Sequence, residues 1–579
     1  MKCPGCSADL RLDPASGKLL CDFCGSSFDP TDKKLLSFPG NENAEENIKA
    51  AEYADTAVMH DEVDKTSQNN GIELTGAGSG NNDIDVIEYT CPNCGGTLVS
   101  VEEAVNGFCS YCGSQVMLNT RFSKMKAPKC VIPFSVSKEQ CREKYLGIVN
   151  SAFFAPKELK DPEYLEKFRG IYMPYYVYNI RSEGPFKFKG KRSYTKGNYE
   201  YTETYECNVE LNSHYNGLSY DASSSFDDHF SELIGPFDSK KMKDYSSSYL
   251  SGFYADLADV PYTLYMNDAG DFVKEDIMKK LIKGNKDLSN ISIEGASKDN
   301  IPLMMTKKDI ETAFFPVWFL SYKKGDRVAY AVVNGESGKM VCDLPVDVKK
   351  FILCSVGLAL PLYLLFNLFL PVFQPGTMLM ILQILGCIAA ILMSSNVKKA
   401  VIRDDHLDDK GYIYKYGNGD YSRIPDPSKK KKLMEKLDNA KVAVFAAVVM
   451  LIYMFGLPAL SVIFNIIFWL FKLNIFKGPA ETVLVAIVIL SMFAKGKTLD
   501  DKKIMFMGGI PLLIASVIST ILAAAAPAND MFYFASAIVM GIGILAALLS
   551  VILIFNGLST RPLPQLNRKG GDDSAPVNR

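Results

Sequence analysis

Histidine is scarce in this chain. His60, His214, His229 and His406 are the four among 579 residues, and they stand far apart. No His-Glu-x-x-His and no Gly-x-Ser-x-Gly occurs, so neither a zincin helix nor a nucleophile elbow is present. Gly496-Lys497-Thr498 resembles the end of a phosphate loop, but Ser491 stands where that loop needs a glycine. Asp227-Asp228-His229 and Asp404-Asp405-His406 read as solvated loops, because neither brings the further ligands that a metal requires. No catalytic residue emerges, no small-molecule substrate is indicated, and the chain is expected not to be an enzyme.

No export leader is expected. Met1-Lys2-Cys3-Pro4 runs directly into cysteines with no apolar h-region, so the N-terminal arm is expected to stay in the cytosol. That arm is poor in positive charge. Residues 1–120 hold 7 Lys+Arg against 19 Asp+Glu, about −12 by count. A phosphate backbone would be repelled by such an arm, which disfavours nucleic acid as a partner.

Charge is absent from two long apolar runs, Phe351–Phe373 and Met378–Met393. Runs of ~20 uncharged residues, rising ~1.5 Å each, span a ~30 Å hydrocarbon core. Lys349 and Lys350 precede the pair and Lys398 and Lys399 follow it, which marks a transmembrane hairpin over 349–399 with both ends on one side. Asn367 and Gln383 in these runs, with Asn465 in a later apolar run, are the strongly polar groups, and hydrogen bonds between helices account for them. Transporters and proton pumps usually carry ionisable groups at midplane, and none is found here.

What the chain does have is cysteine, fourteen in all. Eight form four Cys-x-x-Cys pairs: Cys3/Cys6 with Cys21/Cys24, then Cys91/Cys94 with Cys109/Cys112, the second set offset by 88 residues from the first. Pro4 matches Pro92, Leu10 matches Leu98, and Gly25-Ser26 matches Gly113-Ser114. Paired thiols in a reducing compartment read as ligands of tetrahedral zinc rather than disulfides. Two zinc ions per chain are expected, in a ribbon over 1–37 and another over 88–120, joined by an acidic flexible linker over 38–87. Cys130, Cys141, Cys207, Cys342, Cys354 and Cys387 read as small packing residues.

An α+β domain with an antiparallel sheet is expected over 129–348. Ser137-Lys138-Glu139-Gln140 has the form of a capping box and opens a helix to about Ser151; Asp271–Ile282 reads as a second helix. Tyr199–Leu211 alternates with period two, its tyrosines turned inward and Glu200, Glu206 and Glu210 turned to water, where they suit a basic protein surface. Ile171–Ile180 and Phe315–Tyr322 share a Pro-aromatic pattern, which suggests two related halves. Asn334-Gly335 marks a turn before Lys339–Cys342.

Beyond the first hairpin a basic loop is expected over 400–441, with a small strand hairpin at Tyr412–Tyr416 and Tyr421–Ile424 and the lysine run Lys429–Lys432 near lipid heads. The remaining transmembrane helices fall in 442–556, giving about six spans, and a polar tail occupies 557–579. Lys and Arg then lie on one side, which places both termini in the cytoplasm of a multi-pass inner-membrane protein.

The two Cys-Pro-x-Cys…Cys-x-x-Cys-Gly-Ser units, Pro174-Tyr175-Tyr176, Phe315-Pro316-Val317-Trp318 and Gly338–Val346 before membrane helices resemble the bacterial membrane proteins with transcription-factor-IIB-type zinc ribbons. The resemblance covers residues 1–400 and implies zinc at the eight cysteines, but no activity. Some members carry a label taken from a replication-restart helicase; this chain has neither the phosphate loop nor a helicase motor. The leading expectation is a protein-interaction or regulatory arm on a membrane domain. A small-solute transporter or channel with a regulatory arm, and a tethered nucleic-acid-binding protein, are the alternatives.

Overall fold

The computed structural model describes residues 1–32, 35, 38, 83–101, 108–116, 118–196, 199–284, 292–293, 295–369, 375–416, 479–496, 502–525 and 527–566. Residues 39–82 of the linker expected over 38–87, the lysine run, the apolar run Val442–Phe471 and residues 567–579 of the tail expected over 557–579 lie outside them, while Asp83–Ile87 of that linker form part of a strand.

A small three-stranded sheet comes first: β1 (Leu10–Asp13), β2 (Lys18–Cys21) and β3 (Ser27–Phe28). A 13-stranded sheet takes all the rest. It contains β4 (Asp83–Thr90), β5 (Thr97–Ser100), β6 (Asn119–Lys126), β7 (Cys130–Val131), β8 (Arg169–Lys196), β9 (Tyr199–Asp221), β10 (Lys243–Asp244), β11 (Tyr254–Ala255), β12 (Ser292–Ile293), β13 (Ile310–Lys324), β14 (Arg327–Asn334), β15 (Met340–Cys342) and β16 (Arg561–Pro562). The helices are α1 (Lys138–Ser151), α2 (Pro162–Leu165), α3 (Asp228–Ile234), α4 (Met266–Gly284), α5 (Val348–Phe369), α6 (Pro375–Asp404), α7 (Lys410–Tyr416), α8 (Pro479–Lys495), α9 (Lys502–Ala525) and α10 (Asp530–Leu558).

The capping box opens α1 as expected. The Ser137 hydroxyl accepts from the Gln140 amide at 3.3 Å, and the Gln140 side chain accepts from the Ser137 amide at 2.9 Å. The two Pro-aromatic strands are direct neighbours: Phe314 on β13 stands opposite Pro174 on β8. Tyr172, Trp318, Phe134 and Phe253 meet there, with Phe134 stacked on Phe253 at 4.2 Å.

The strand at Tyr199 is longer than expected and its alternation fades outward. It pairs with β8 from Asp221 to Tyr199, a hairpin whose outer part, from Arg181 to Lys196, extends ~50 Å at ~3.3 Å per residue. The near half of this outer part is covered by α4: Phe186, Phe188 and Leu211 cluster with Val273 and Ile277. Past that cover, Tyr199 is 72% exposed and Tyr201 45%, so these two tyrosines are not inward-facing. The acidic face is also mixed. Lys189 stands opposite Glu206 with their charges 3.9 Å apart, which partly neutralises the surface expected to suit a basic partner.

The segment at Tyr412 is a helix, not a strand. The Asp409 carboxylate accepts from the Tyr412 amide at 2.7 Å and caps α7, while Tyr412 and Ile413 are buried against the sheet domain. Capping and burial here override the β preference of a tyrosine-rich run. The second half of that expected hairpin, Tyr421–Ile424, is outside the described residues. The basic loop also begins later than expected, since α6 runs to Asp404.

Among the described residues three helices, not six, are long and apolar enough to cross a membrane: Ile381–Asp404, Lys502–Ala523 and Asp530–Leu558. Thr482–Lys495 is apolar but shorter. They share one seam, in which Ala390, Met393, Val397, Ile489, Leu512, Ala515, Met540 and Ala547 are buried. Gly543 sits where α9 and α10 touch: a Cβ there would lie 3.1 Å from the Leu512 Cα. On α10, Gly543 and Ala547 face this seam, whereas a Cβ at Gly541 would meet nothing within 4 Å. Gln383 donates to Thr520 at 3.3 Å, so it bridges helices. Leu353, Ile538, Ile542 and Leu545 point outward and are exposed, an apolar exterior that suits lipid.

Candidate metal centres

Each cysteine pair lies on a knuckle built the same way. The amide of the first cysteine donates to the carbonyl five residues on: Cys3 to Ala8, Cys21 to Ser26, Cys91 to Gly96, Cys109 to Ser114, at 2.8–2.9 Å. The residue four positions on donates back to that cysteine's carbonyl, and it has positive φ in all four knuckles: Ser7 (59°), Gly25 (73°), Gly95 (76°) and Gly113 (66°). Glycine adopts this conformation freely, and Ser7 is the exception. Amides also turn toward sulfur, Gly5 to the Cys3 Sγ and Gly96 to the Cys94 Sγ, both at 3.4 Å.

The knuckles face each other crosswise. Cys3 meets Cys24 at 3.6 Å and Cys6 meets Cys21 at 3.4 Å; Cys91 meets Cys112 and Cys94 meets Cys109, both at 3.8 Å. Zinc–sulfur bonds of ~2.3 Å at the tetrahedral angle put sulfurs ~3.8 Å apart, so both sets fit one tetrahedral ion. A disulfide needs ~2.05 Å, and all fourteen cysteines are free. Hydrogen bonding among the thiols, Cys109 upon Cys94 and Cys112 upon Cys109, pushes the Cys94 and Cys109 thiols well above their usual range. Four thiolates cannot share such a space without a cation. Each set can therefore hold one metal ion.

The two clusters differ in setting. In the first, Cys3 and Cys21 are buried, but Cys24 is exposed and Phe23 beside it is 84% exposed. The Ser26 hydroxyl and amide hold the Cys24 thiol down at about 6. In the second, all four cysteines are buried, and Asn93 donates to Ser114 at 2.8 Å across the centre.

Neither cluster is a separate bead on a linker. The first docks on the sheet domain through Leu10, Leu12 and Leu19, which pack with Tyr249 and Leu250; Leu12 donates to the Ser251 carbonyl at 3.1 Å. The second enters the large sheet, because Ala255 on β11 pairs with Val99 on β5. Tyr330 donates to the Tyr111 carbonyl at 2.6 Å, and Lys323 donates to the Ser114 hydroxyl at 2.9 Å. The flexible linker expected between the ribbons therefore does not leave them apart, since both pack on the sheet domain. Open strand edges seek partners, and short partner strands satisfy these.

The carboxylate-histidine loops are not simply solvated. Ligand atoms of Asp227, His406 and Asp409 lie within 4.8 Å of one another, with Asp409 buried. His406 stacks on Tyr412 at 3.9 Å. The Arg561 guanidinium pairs with Asp227 and already supplies positive charge there. Sequence reading missed this group, since Asp227 caps α3 whereas His406 and Asp409 stand in the turn before α7, about 180 residues on.

The supposed polar tail is also part of this assembly. β16 pairs with β14, and the Leu566 amide donates to the Cys94 carbonyl at 2.6 Å. Of the scattered cysteines, Cys141 and Cys387 are buried packing residues, Cys130, Cys207 and Cys342 are half-buried, and Cys354 is exposed on α5.

Comparison with known proteins adds little chemistry. The chain is similar to the uncharacterized protein YdjG of Bacillus subtilis (strain 168), 25% identical over 334 residues, covering 47% of this chain and 94% of that protein. No family model matches. No solved structure matches.

Proposed function

We propose that this chain is a multi-pass membrane protein that carries two zinc ions and docks a protein partner through its cysteine-rich arm. The observation that carries the docking role is Phe23. This phenylalanine stands 84% exposed between Cys21 and Cys24, on the knuckle of a centre that would fix it rigidly in space. A rigid exposed aromatic beside Asp22 suits a partner with an apolar pocket rimmed by basic groups. The acidic composition of residues 1–120 supports protein over nucleic acid.

The parity of the helices supports six spans. α5 leaves the sheet domain at Val348 and α10 returns to it at Leu558, directly before β16. α6 also returns, since Asp404 pairs with Arg327 of the sheet. α8 runs from Thr482, which faces Thr520 at the far end, to Gly496, which faces Val397 and Met505 at the near end. The chain leaves the near side after Tyr416 and rejoins the described residues at the far side, which favours an even total, and one pass assigned to the apolar run Val442–Phe471 brings it to six. Lys349, Lys350, Lys398, Lys399, Lys495, Lys502 and Lys503 all lie at the near ends, which favours the cytoplasm for that side.

The test is affinity purification of the detergent-solubilised full chain beside Phe23→Ser. Loss of a reproducible protein partner in the variant, at unchanged metal content, is expected. An unchanged partner set, or micromolar binding of DNA or RNA that survives physiological salt, would refute the docking role.

A further inference from the structure

The second cluster touches the segment that follows α10, and nothing in a metal-binding role requires that. Its first knuckle is closed by Cys91 to Gly96 at 2.9 Å and Gly95 to Cys91 at 2.8 Å. This leaves the Cys94 carbonyl pointing outward as an acceptor. The Leu566 amide takes it at 2.6 Å. The Leu566 side chain is 6% exposed and lies over Gly96, where an added Cβ would come within 3.2 Å of its Cδ1 and 2.7 Å of the Tyr111 ring. Any side chain at Gly96 would displace both.

The segment between this contact and α10 is a short strap. Leu563 donates to the Asp326 carbonyl at 3.2 Å, and Arg561 and Pro562 pair with Val328 and Arg327. At its helix end the Arg327 guanidinium donates to the Gly557 carbonyl at 2.7 Å and to the Thr560 carbonyl at 2.9 Å, while pairing with Asp404 of α6. Asn556 and Val346 exchange two hydrogen bonds at 2.8 Å, tying α10 to the entry of α5. One end of the strap thus sits on a cysteine ligand and the other at the near ends of three membrane helices. The ligand's backbone is placed by its sulfur, so the strap's anchor is only as fixed as the cluster.

We propose that a metal ion on the second cluster holds the strap Arg561–Leu566 against the Cys91–Gly96 knuckle, so that metal loss releases the end of α10 from the sheet domain. The proposal rests on the reading of this cluster as a metal centre and adds what the metal governs. Coupling of this kind is reciprocal: a strap that needs the metal must also retain it.

The experiment uses the full chain in detergent, with zinc, after chelation, and after zinc is restored. Hydrogen exchange of peptides spanning 561–566 should rise about tenfold on stripping and return on reloading, within the usual range of coupling factors. Leu566→Asp should keep two ions per chain, yet lose one of them to chelator about tenfold faster, with the other unchanged. This second arm starts from loaded protein, so it decides the matter even if stripping unfolds the domain. Unchanged exchange in 561–566 after loss of the second ion, or unchanged extraction from Leu566→Asp, would overturn the strap while the metal reading stands. A metal count showing that the second cluster never holds an ion would overturn both.

Discussion

The Tyr330 hydroxyl donates a 2.6 Å hydrogen bond to the Tyr111 carbonyl, joining the middle of β14 to the knuckle between Cys109 and Cys112. Both partners are buried. Tyr330→Phe removes the donor and leaves a buried carbonyl unpaired, at a cost of about 1–3 kcal/mol. The melting temperature of the metal-loaded chain should fall, and one of its two ions should become easier to extract. An unaltered melt would show that the second cluster is not supported by β14.

Ser7 is the knuckle residue that occupies left-handed backbone without being glycine, at φ 59°. A non-glycine residue there costs roughly 1–2 kcal/mol. Ser7→Gly should therefore slow metal loss from the first cluster and leave the second unaffected. The check is the two-phase release curve with a colorimetric chelator, in which only the phase belonging to the exposed cluster should shift.

Gly543 and Gly541 make a matched pair on α10. A side chain at Gly543 meets the Leu512 backbone and the Ala515 Cβ at 3.1 Å, while one at Gly541 meets nothing within 4 Å. Gly543→Val should destabilise the helix seam by about 1–3 kcal/mol through overpacking, and Gly541→Val should be tolerated. Thermal aggregation followed by size-exclusion chromatography reads this directly. Equal behaviour of the two variants would contradict the seam.

Asp256 is buried, and burial pushes its carboxyl up from 3.8 to about 6. Its folded pKa exceeds its unfolded one. Its contribution is thus full below about pH 4 and is lost as pH rises through about 6, on the order of 3 kcal/mol. Asp256→Asn removes that dependence. The melting difference between variant and native chain should move in the variant's favour from pH 5 to pH 7.5. A difference that stays constant across this window would show the carboxyl to be ionised throughout.

The eight cysteines and their grouping into two sets of four were legible because a knuckle is a local object: two cysteines, two spacers and a turn fix it within six residues. The capping box at Ser137 was legible for the same reason. The docking of the knuckles was not. β11 is two residues long and meets β5 through a single register pair, so no periodicity announces it. The strap at Leu566 is hidden likewise, since a polar tail gives no sign of a partner as distant as Cys94. Tyr412 shows a different limit: its neighbours favour a strand, and a cap from Asp409 with burial on the sheet makes a helix instead. Asp227 and His406 sat in two motifs that each looked incomplete alone, and Asp409 stood in neither.

Cys3/Cys6/Cys21/Cys24 and Cys91/Cys94/Cys109/Cys112 can each hold one metal ion, and zinc in both is the proposal on which the rest depends. Elemental analysis of the purified full chain, with X-ray absorption at the metal edge, tests it most directly. The account predicts about two zinc per chain with four sulfur neighbours at ~2.3 Å. One equivalent or none, iron in place of zinc, or nitrogen and oxygen in the first shell would contradict it.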